Sequence, residues 1–493
     1  MAKEKSYYNN LGEFIDELKN NKELIEIEQE IDPYLEVTEI SDRAIKSGME
    51  ALLFKNVKGS KIPLLMNMYG SKKRMELSLS VKNLNEIGDR IRELVKITPP
   101  KSFSQKLDLL PKLMELSKFP PQVVKKAPSQ EVRYEGDNVN LDMLPIITCW
   151  PQDAGPFITL PMVITKDPDN DKQNVGMYRM QKYDSKSTGM HWHIHKGGAK
   201  HYRKYKAKGI KKMDVAVAIG CDPATLYSSS APLPPEIDEF LFSGFLRKEN
   251  VKLVKAIHSD LLVPAEAEII LEGYVDTEEE LRMEGMFGDH TGFYSLADYY
   301  PVFHVTAITH RKNPVYPATI VGRPPMEDAY MGLATERIFL AVTQALLPEI
   351  VNFHLPPEGT FHNLIFVSIK KEYPGHAHKV MNALWGLGLM SLVKVIIVVD
   401  DIVNVENSYD AWWYTLANID PQRDIIFSKG PTDVLDHAST EFAFHSKMGI
   451  DGTKKWKEEG FHRDWPDVIE MEKEIVKKVD SYWQKILEQS RKG

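Results

Sequence analysis

Residues 174–198 read NVGMYRMQKYDSKSTGMHWHIHKGG, and this is the most informative stretch of the chain. The run Val175–Gln181 alternates its side chains between two faces, which is typical of a β-strand. A polar turn is expected at Asp184–Gly189, and a second strand at Met190–His195 with a histidine at every other position. The stretch therefore predicts a β-hairpin whose rims carry an amide, an arginine and an imidazole cluster. Such groups can hold an anion and a divalent metal together.

The composition is that of a large globular protein. The 493 residues are enough for about three domains of ordinary size. The net charge is −8, and the basic patch Lys200–Lys212 is diluted by other residues, so nucleic-acid binding is not expected. Two cysteines, Cys149 and Cys221, cannot form a disulfide framework and fit a reducing compartment. Because the sequence shows no apolar leader and no run of about 18 apolar residues, we expect a cytoplasmic protein without a transmembrane segment.

The pattern along the chain predicts a multi-domain α+β fold. Residues 1–120 alternate helical and strand patterns, which we interpret as a small N-terminal α/β lobe. Its expected elements are Leu11–Leu18, Leu24–Ile27, Leu35–Ser47, Ala51–Phe54, Pro63–Met68, Leu84–Val95 and Leu107–Leu116. Residues 121–325 are rich in short strands separated by Pro, Gly and Asp turns. This spacing suggests an antiparallel barrel or sandwich, interrupted by one helix after Pro234-Pro235.

The C-terminal part has a different pattern. Residues 326–460 carry unbroken apolar runs between helical segments, which favours a parallel sheet covered on both faces. The expected elements are Ala334–Leu347, Leu364–Ile369, Ala377–Gly386 and Val393–Val399. Within residues 461–493, Val468–Leu487 places apolar residues on one stripe of a helix. That stripe needs a surface to cover it, and a partner subunit and the chain's own domains are equal candidates.

Several polar residues of the central segment are candidates for chemistry. Asn174 and His195 lie on the predicted hairpin, and Glu239 lies on the interrupting helix. An amide oxygen, an imidazole and a carboxylate suit Mg²⁺ or Mn²⁺. Arg179 is placed to pair with Glu284 and to meet a substrate carboxylate. Asp289, in the loop 281–295, is a plausible proton donor if burial raises its pKa.

Each candidate has a structural alternative. An Arg–Glu pair is more often structural than catalytic, and Glu239 can simply line an exposed helix face. The alternation of His191, His193 and His195 is compatible with a zinc site, a hydrogen-bonded cluster or a solvated rim. The pair Asp400-Asp401 follows a predicted strand, where ligands bind in open α/β sheets, but acidic pairs in turns usually cap helices or face solvent.

A set of motifs resembles the UbiD family of decarboxylases, which use prenylated flavin mononucleotide (prenylated FMN) to remove carboxyl groups from aromatic or unsaturated acids. The similarity runs from about residue 140 to residue 455, and a weaker N-terminal match corresponds to the family's small α/β lobe. The motifs are LPIITCWPQDAGPFIT, NVGMYRMQ, TGMHWHIHKGGAKHY, DVAVAIGCDPA, APLPPEIDEFLFSGFLR, LVPAEAEIILEGYV, EGMFGDHTGFYS, YPVFHVTAITHR, VGRPPMEDAYMG and SKMGID.

The resemblance implies a fold and a set of site residues. Residues 121–325 would form a split β-barrel that binds the flavin. The metal, Mn²⁺ or Mg²⁺, would be held by Asn174, His195 and Glu239 and would bridge the protein to the flavin phosphate. K⁺ would lie around Ser228–Ala231. Flavin contacts would come from Met177, Tyr178, Arg179, His191, Trp192, His193, Lys196, Gly197 and, near the phosphate, Lys447.

The resemblance also implies a catalytic trio of Glu284, Arg179 and Asp289, in which Asp289 supplies a proton. The flavin would take up the electron pair that carbon dioxide leaves behind. The sequence departs from the family at Met286, where the loop typically has proline, and Asp289 replaces the glutamate of some members. His191 and His193 are unusual neighbours for the cofactor, which leaves a second metal or an acid–base role open.

The implied activity is reversible, non-oxidative decarboxylation, most simply of a 4-hydroxybenzoate-type acid in quinone biosynthesis. Alternatives are another acid in a menaquinone or isoprenoid route, net carboxylation, or a flavin-binding module without activity. A zinc hydrolase built on the three histidines belongs to a different class. A flavin prenyltransferase is the implied cofactor supplier, and the chain is expected to form a dimer or hexamer. Peripheral membrane contact is expected if the substrate is prenylated.

Overall fold

The computed structural model describes residues 7–95, 119–193, 196–233 and 237–490. Its helices are α1 (Leu11–Asn20), α2 (Glu36–Lys46), α3 (Lys72–Ser78), α4 (Asn85–Val95), α5 (Gly197–Ala207), α6 (Pro223–Ser228), α7 (Glu239–Arg247), α8 (Glu327–Leu346), α9 (His376–Trp385), α10 (Ser408–Asn418), α11 (Pro421–Asp424) and α12 (Lys473–Ser490). Its strands are β1 (Leu24–Ile31), β2 (Ala51–Val57), β3 (Leu64–Met66), β4 (Gln122–Val124), β5 (Val132–Glu135), β6 (Phe157–Ile158), β7 (Met162–Lys166), β8 (Gln173–Met177), β9 (Met180–Gln181), β10 (Ser187–Gly189), β11 (Lys212–Ile219), β12 (Lys252–Lys255), β13 (Leu262–Pro264), β14 (Ile269–Asp276), β15 (Arg282–Glu284), β16 (Phe287–Gly288), β17 (Tyr294–Ser295), β18 (Asp298–Tyr300), β19 (Val302–His310), β20 (Tyr316–Pro317), β21 (Ile350–His354), β22 (Leu364–Ile369), β23 (Val395–Asp400), β24 (Ile425–Pro431) and β25 (Phe444–Asp451).

The N-terminal lobe is a sheet with the strand order β1-β2-β3-β20, packed against helices. Helix α1 buries Leu11, Phe14, Ile15 and Leu18, a spacing that places all four side chains on one face. Helices α1, α2 and α4 confirm the sequence prediction, whereas the predicted helix Leu107–Leu116 lies outside the described residues. Strand β20 pairs with β3, so the sheet of the lobe is completed by a segment from the end of the central region.

The central sheet has the strand order β10-β19-β14-β11-β7-β8, and β5 also pairs with β19. Its neighbouring strands are antiparallel, as the short, turn-separated runs predicted. Within the described residues, no strand pairing closes this sheet into a barrel. Strands β8 and β10 therefore lie at opposite ends of the strand order, although only nine residues separate them in sequence.

The predicted hairpin is confirmed only at its turn, where Lys182 and Thr188 form a single antiparallel bridge. Its two strands do not pair with each other, because β8 pairs with β7 and β10 pairs with β19. The second strand comes earlier than expected, at Ser187–Gly189, and the described residues after Gly189 leave the sheet. The physical reason is a tight turn. The amide of Trp192 donates to the carbonyl of Met190 at 2.7 Å and is therefore not available for a sheet ladder. The side chain of His191, within this turn, is buried.

The C-terminal sheet has the strand order β21-β22-β23-β25-β24. Strands β22, β23 and β25 are parallel, but β21 and β24 run antiparallel, so the prediction of a parallel sheet is right for its centre and wrong for its edges. Helices α8 and α9 cover one face and α10 covers the other. Asp400, at the end of β23, accepts hydrogen bonds from Tyr414 Oη at 2.9 Å and from the amide of Lys454 at 2.6 Å. These contacts support the structural interpretation of that acid.

The C-terminal helix α12 is largely exposed, and it begins later than the predicted Val468. Most of its apolar side chains are exposed, including Ile475, Tyr482, Trp483 and Ile486, whereas Val479 is half-buried. The described part of the chain therefore leaves most of the stripe uncovered, and the surface that covers it stays a prediction. No helix among residues 7–95, 119–193, 196–233 and 237–490 is both long and apolar enough to cross a membrane.

Candidate active site

Arg179 is the centre of the site because it joins acidic groups from different elements. Its Nε lies 3.1 Å from Glu284 Oε1, at the end of β15, and its Nη1 contacts Asp289 Oδ2, just after β16. Its Nη2 donates to the hydroxyl of Ser295 in β17 at 2.8 Å. The guanidinium also lies 4.7 Å from the ring centre of Phe287. The whole fork of donors is therefore fixed in one orientation.

The charges of this site are set by burial and by their partners. Glu284 is 1% exposed and Asp289 is 7% exposed. Burial alone raises the pKa of Asp289, but His290 and Arg179 outweigh it and hold that pKa well below its usual range. The expectation of a neutral Asp289 is therefore wrong for this structure. It assumed that Arg179 pairs with Glu284 alone, whereas Arg179 reaches both acids.

His191 and His193 extend the site from Glu284. His191 Nδ1 lies 2.7 Å from Glu284 Oε1, and its Nε2 lies 2.6 Å from His193 Nε2. Burial, with the charges of His191 and Arg179, lowers the pKa of His193 to about 3, so this ring is neutral near pH 7. For these two residues the structure shows a hydrogen-bonded pair, one of the arrangements that the sequence left open. Tyr300 packs on His191, with the ring centres 4.4 Å apart.

Asn174 and Glu239 lie close together at the edge of the central sheet, and His195 lies outside the described residues. Glu239 Oε2 accepts a hydrogen bond from the amide of Val175, next to Asn174, at 3.1 Å. Burial raises the pKa of Glu239 to about 7, and within the described residues no lysine or arginine pairs with it. A partly buried carboxylate without a cationic partner fits a divalent metal, because the metal would compensate its charge.

The start of α5 has the features of a phosphate site. Lys196 precedes two glycines, Gly197 and Gly198, and a Cβ on Gly197 would lie 1.8 Å from Asn174 Oδ1. Trp192 Nε1 is buried beside this turn without a hydrogen-bond partner in the described chain. Free amide groups at a helix N-terminus, a lysine and an indole N–H suit a phosphorylated cofactor. Tyr178 Oη lies 3.5 Å from the amide of Gly198 and 3.5 Å from Asn174 Nδ2, so it links this turn to the metal candidates.

The segment Ser228–Ala231, implied to bind K⁺, lies next to the same strand. The carbonyl of Ser229 accepts the amide of Met177 at 3.0 Å. The hydroxyls of Ser228, Ser229 and Ser230 donate to carbonyl groups of their own turn at 2.7–2.8 Å. The structure thus places this segment beside the flavin candidates and engages its hydroxyl groups internally.

The C-terminal region contributes groups that sequence reasoning missed. The ring of His437 lies 4.3 Å from that of Phe293, and His362 Nε2 lies 3.7 Å from Asp433 Oδ2. Burial lowers the pKa of His362 to about 4 against the opposing charge of Asp433, and the charges of His290, Lys196 and Lys447 lower it further. Both lysines are therefore close to one imidazole.

Three further residues near the site, Lys447, Met286 and Ser295, lie in motifs that the sequence analysis singled out. Lys447 donates to the carbonyls of Ser391 and Val393 at 2.6 and 3.0 Å, and burial lowers its pKa to about 8. Met286, at the position where the family typically has proline, is exposed, and its carbonyl accepts the amide of Ala154 at 3.0 Å. Ser295 lies in the motif around Asp289, which is the one signal that pointed to it.

Solved structures place this arrangement in a known class. Vanillic acid decarboxylase of Sedimentibacter hydroxybenzoicus, in a closed form, has a TM-score of 0.81 at 27% identity and covers 99% of each chain. An evolved dimeric form of the UbiD-class enzyme HmfF of Pelotomaculum thermopropionicum, in complex with prenylated FMN, has a TM-score of 0.77 at 28% identity, covering 93% of this chain and 97% of HmfF. The multi-domain α+β fold is thus that of the UbiD-class enzymes.

Sequence comparisons agree along nearly the whole chain. The N-terminal, Rift-related and C-terminal domains of 3-octaprenyl-4-hydroxybenzoate carboxy-lyase match residues 15–91, 122–324 and 329–452. An uncharacterized protein of Archaeoglobus fulgidus is 52% identical over 480 residues, which are 97% of this chain and 98% of the relative. The chain belongs to the UbiD family of carboxy-lyases.

Proposed function

We propose that this enzyme decarboxylates an aromatic or α,β-unsaturated carboxylic acid, with prenylated FMN and a divalent metal bound at the site described above. The observation that carries the proposal is the buried contact of Arg179 with both Glu284 and Asp289. The prenylated FMN bound by HmfF and the carboxylic acid named for the Sedimentibacter enzyme support the choice of cofactor and reaction. Prenylated FMN, when bound, supplies a sink for the electron pair of the bond to carbon dioxide.

The residues of the chain have separable roles in this proposal. Arg179 binds the substrate carboxylate, because a planar guanidinium matches a carboxylate and its orientation is fixed. Glu284 holds Arg179 and, through its second contact, His191. Asp289 returns a proton to the carbon that loses carbon dioxide. Buried side chains around the trio exclude water, which strengthens each of these interactions.

We propose that Asn174, His195 and Glu239 hold Mn²⁺ or Mg²⁺ against the flavin phosphate, and that K⁺ binds near Ser229. The flavin would contact Met177, Tyr178, Arg179, His191, Trp192, His193, Lys196, Gly197 and Lys447. The proposed division is an N-terminal lobe, residues 1–120, a split β-barrel that binds the flavin, residues 121–325, an α/β domain, residues 326–460, and an oligomerisation segment, residues 461–493. A flavin prenyltransferase would supply the cofactor.

Removing the carboxylate of Glu239 is expected to release metal and flavin together. Without a divalent cation, the negative charges of Glu239 and the phosphate repel each other, and without Glu239 the metal loses a ligand. The measurement is metal and flavin content of Glu239→Ala, purified after co-expression with a prenyltransferase. Asp260→Ala is the control, since Asp260 is an exposed carboxylate paired with Lys255. If Glu239→Ala kept its full flavin content without metal, the metal would not bridge the protein and the flavin phosphate.

The substrate proposed first is a 4-hydroxybenzoate-type acid of quinone biosynthesis. Vanillic acid, named for the Sedimentibacter enzyme, is also a hydroxylated aromatic acid. The test is carbon dioxide release by the flavin-loaded protein over a panel of hydroxybenzoic, naphthoic and acrylic acids. The reverse reaction is tested by incubating each decarboxylated product with bicarbonate. Release from the hydroxybenzoic acids supports the proposal. Release from the acrylic acids alone would move the assignment to another route, and no release from any acid would refute the proposed function.

Deleting α12 is expected to reduce the oligomeric state. The exposed apolar stripe would cost about 25 cal/mol per Å² if it stayed in water, so we propose that it docks on a second copy of the chain. The dimeric HmfF form supports a homo-oligomer. Sedimentation of a chain truncated after Asp464 should show smaller particles than the full chain. Lys477→Glu, on the face of α12 opposite to the apolar stripe, is the control and should leave the profile unchanged. An unchanged profile would remove α12 from the interface.

A further inference from the structure

Asp289 is held from two sides by groups that can carry a positive charge. Its Oδ2 contacts Arg179, as described above. Its Oδ1 lies 3.0 Å from His290 Nδ1 and also accepts the main-chain N–H of His290 at 2.8 Å. The two carboxylate oxygens of Asp289 therefore face different partners, Oδ2 the guanidinium of Arg179 and Oδ1 the imidazole of His290.

The surroundings of His290 favour its protonated form. Asp289 faces it from its own loop, Asp328 from the first turn of α8, and Asp433 from the loop after β24. Among the described residues, His362 also lies near His290, and the ring of Phe361 packs against His290 with 5.7 Å between the ring centres. Burial alone lowers the pKa of His290, but the three carboxylates outweigh burial and raise that pKa above its ordinary value.

This arrangement resolves a difficulty in the proposed reaction. After carbon dioxide leaves, the substrate carbon needs a proton. His290 and Arg179 hold the pKa of Asp289 low, however, so this acid is ionised in the free enzyme and has no proton to give. Arg179 cannot replace it, because a guanidinium keeps its protons in proteins. Within the described residues, His290 is the other side chain with a nitrogen at hydrogen-bond distance from Asp289. An imidazolium is able to transfer its proton near neutral pH.

We propose that His290 is the positioning residue that supplies Asp289 with the proton it delivers to the substrate carbon; this inference rests on the proposed decarboxylation. The bond to the carboxyl carbon breaks, carbon dioxide leaves, and the electron pair stays with the substrate. The proton passes from His290 Nδ1 to Asp289, and Asp289 gives a proton to the carbon. His290 is left neutral and takes a proton from solvent. Each turnover therefore consumes one solvent proton and releases one carbon dioxide.

The substrate carboxylate would assist this transfer. When it binds Arg179, it competes with Asp289 for the same guanidinium, and Asp289 then becomes a stronger base toward His290. The chain thus keeps Asp289 charged in the free enzyme and lets it take up a proton once a substrate is bound. A short aspartate also suits the geometry, since rotation about its Cβ–Cγ bond exchanges the oxygen that faces His290 with the one that faces Arg179.

The first test needs neither flavin nor substrate. In protein labelled with ¹⁵N-histidine, the resonances of His290 are assigned by their loss in His290→Gln and followed as the pH is raised. We expect His290 to titrate above 6.5, the ordinary imidazole pKa, and to titrate at lower pH in Asp289→Asn. Titration at or below the ordinary value, unmoved in Asp289→Asn, would overturn the inference. This result is independent of whether the enzyme decarboxylates any acid.

The second test is the pH dependence of kcat in the flavin-loaded enzyme. A proton-supplying imidazolium gives an activity that is highest below its raised pKa and falls as the pH rises through that pKa. His290→Gln keeps an N–H group but has no proton to transfer, so kcat should fall by about 10-fold to 10²-fold and lose this alkaline limb. Flavin content and the unfolding temperature should stay those of the parent. A lower kcat that keeps the parent's alkaline limb would show a merely structural role and overturn the inference.

Discussion

Replacing Arg179 with methionine is expected to have the largest effect of any single substitution in this chain. It leaves two buried carboxylates, Glu284 and Asp289, without their shared cation. Breaking a buried ion pair by removing one partner usually lowers the free energy of unfolding by about 3–5 kcal/mol. Because the substrate carboxylate also loses its binding group, kcat should fall by at least about 10².

A variant that also lacks the two carboxylate charges is the matched control for the loss of stability. Adding Glu284→Gln and Asp289→Asn to Arg179→Met removes the unpaired charges, so the triple variant should recover part of the lost stability without recovering activity. Arg179→Lys should keep much of the stability and little of the activity, since an ammonium cannot span both acids as a planar fork does. Denaturant unfolding at neutral pH measures the stability of these variants, and carbon dioxide release measures their activity. If Arg179→Met unfolds like the parent, the buried cluster does not have the charges assigned here.

The second large effect is expected for Asp289→Asn. The amide keeps the shape of the side chain but cannot give a proton to carbon, so kcat should fall by about 10² or more. Flavin and metal content should not change, because Asp289 is not among the proposed ligands. The measurement is carbon dioxide release by the loaded variant with the best substrate of the panel.

The control is Asp137→Asn, which removes a fully exposed carboxylate that is not part of the trio. It should behave as the parent in both turnover and cofactor content. Parent-level turnover in Asp289→Asn would assign the proton to another donor, and His193 or a water would then have to be considered.

Much of the fold could be predicted from local patterns. The helical stripe of α1 and the apolar run Leu364–Ile369 were visible in sequence, because each element buries one face or lies in the middle of a sheet. Strand pairing could not be predicted in the same way. The run around Met190 has a strand-like alternation, but its backbone turns to hydrogen-bond within itself. Strand β8 pairs with the preceding β7, whereas β10 pairs with β19, more than 100 residues further along the chain. Pairing over long sequence distances is set by tertiary packing rather than by local pattern.

The candidate site shows the same limit. Arg179, Glu284 and Asp289 were singled out from their residue types and their family resemblance, and the structure brings them together. Their charges could not be predicted, because these depend on which oxygen meets which donor. His290 was adjacent to Asp289 in sequence, but its importance appears only when Asp328 and Asp433 arrive from two other parts of the chain. The position of His195 relative to Asn174 and Glu239 stays a prediction.

The most direct test of the central claim is a decarboxylation in D₂O followed by mass spectrometry of the product. The protein is loaded with prenylated FMN by co-expression, mixed with the best acid of the panel, and compared with Asp289→Asn and with protein made without the prenyltransferase. The account predicts one deuterium on the carbon that lost carbon dioxide, formed at full rate only in the loaded parent. Product formed equally fast without the flavin, or equally fast by Asp289→Asn, would contradict it.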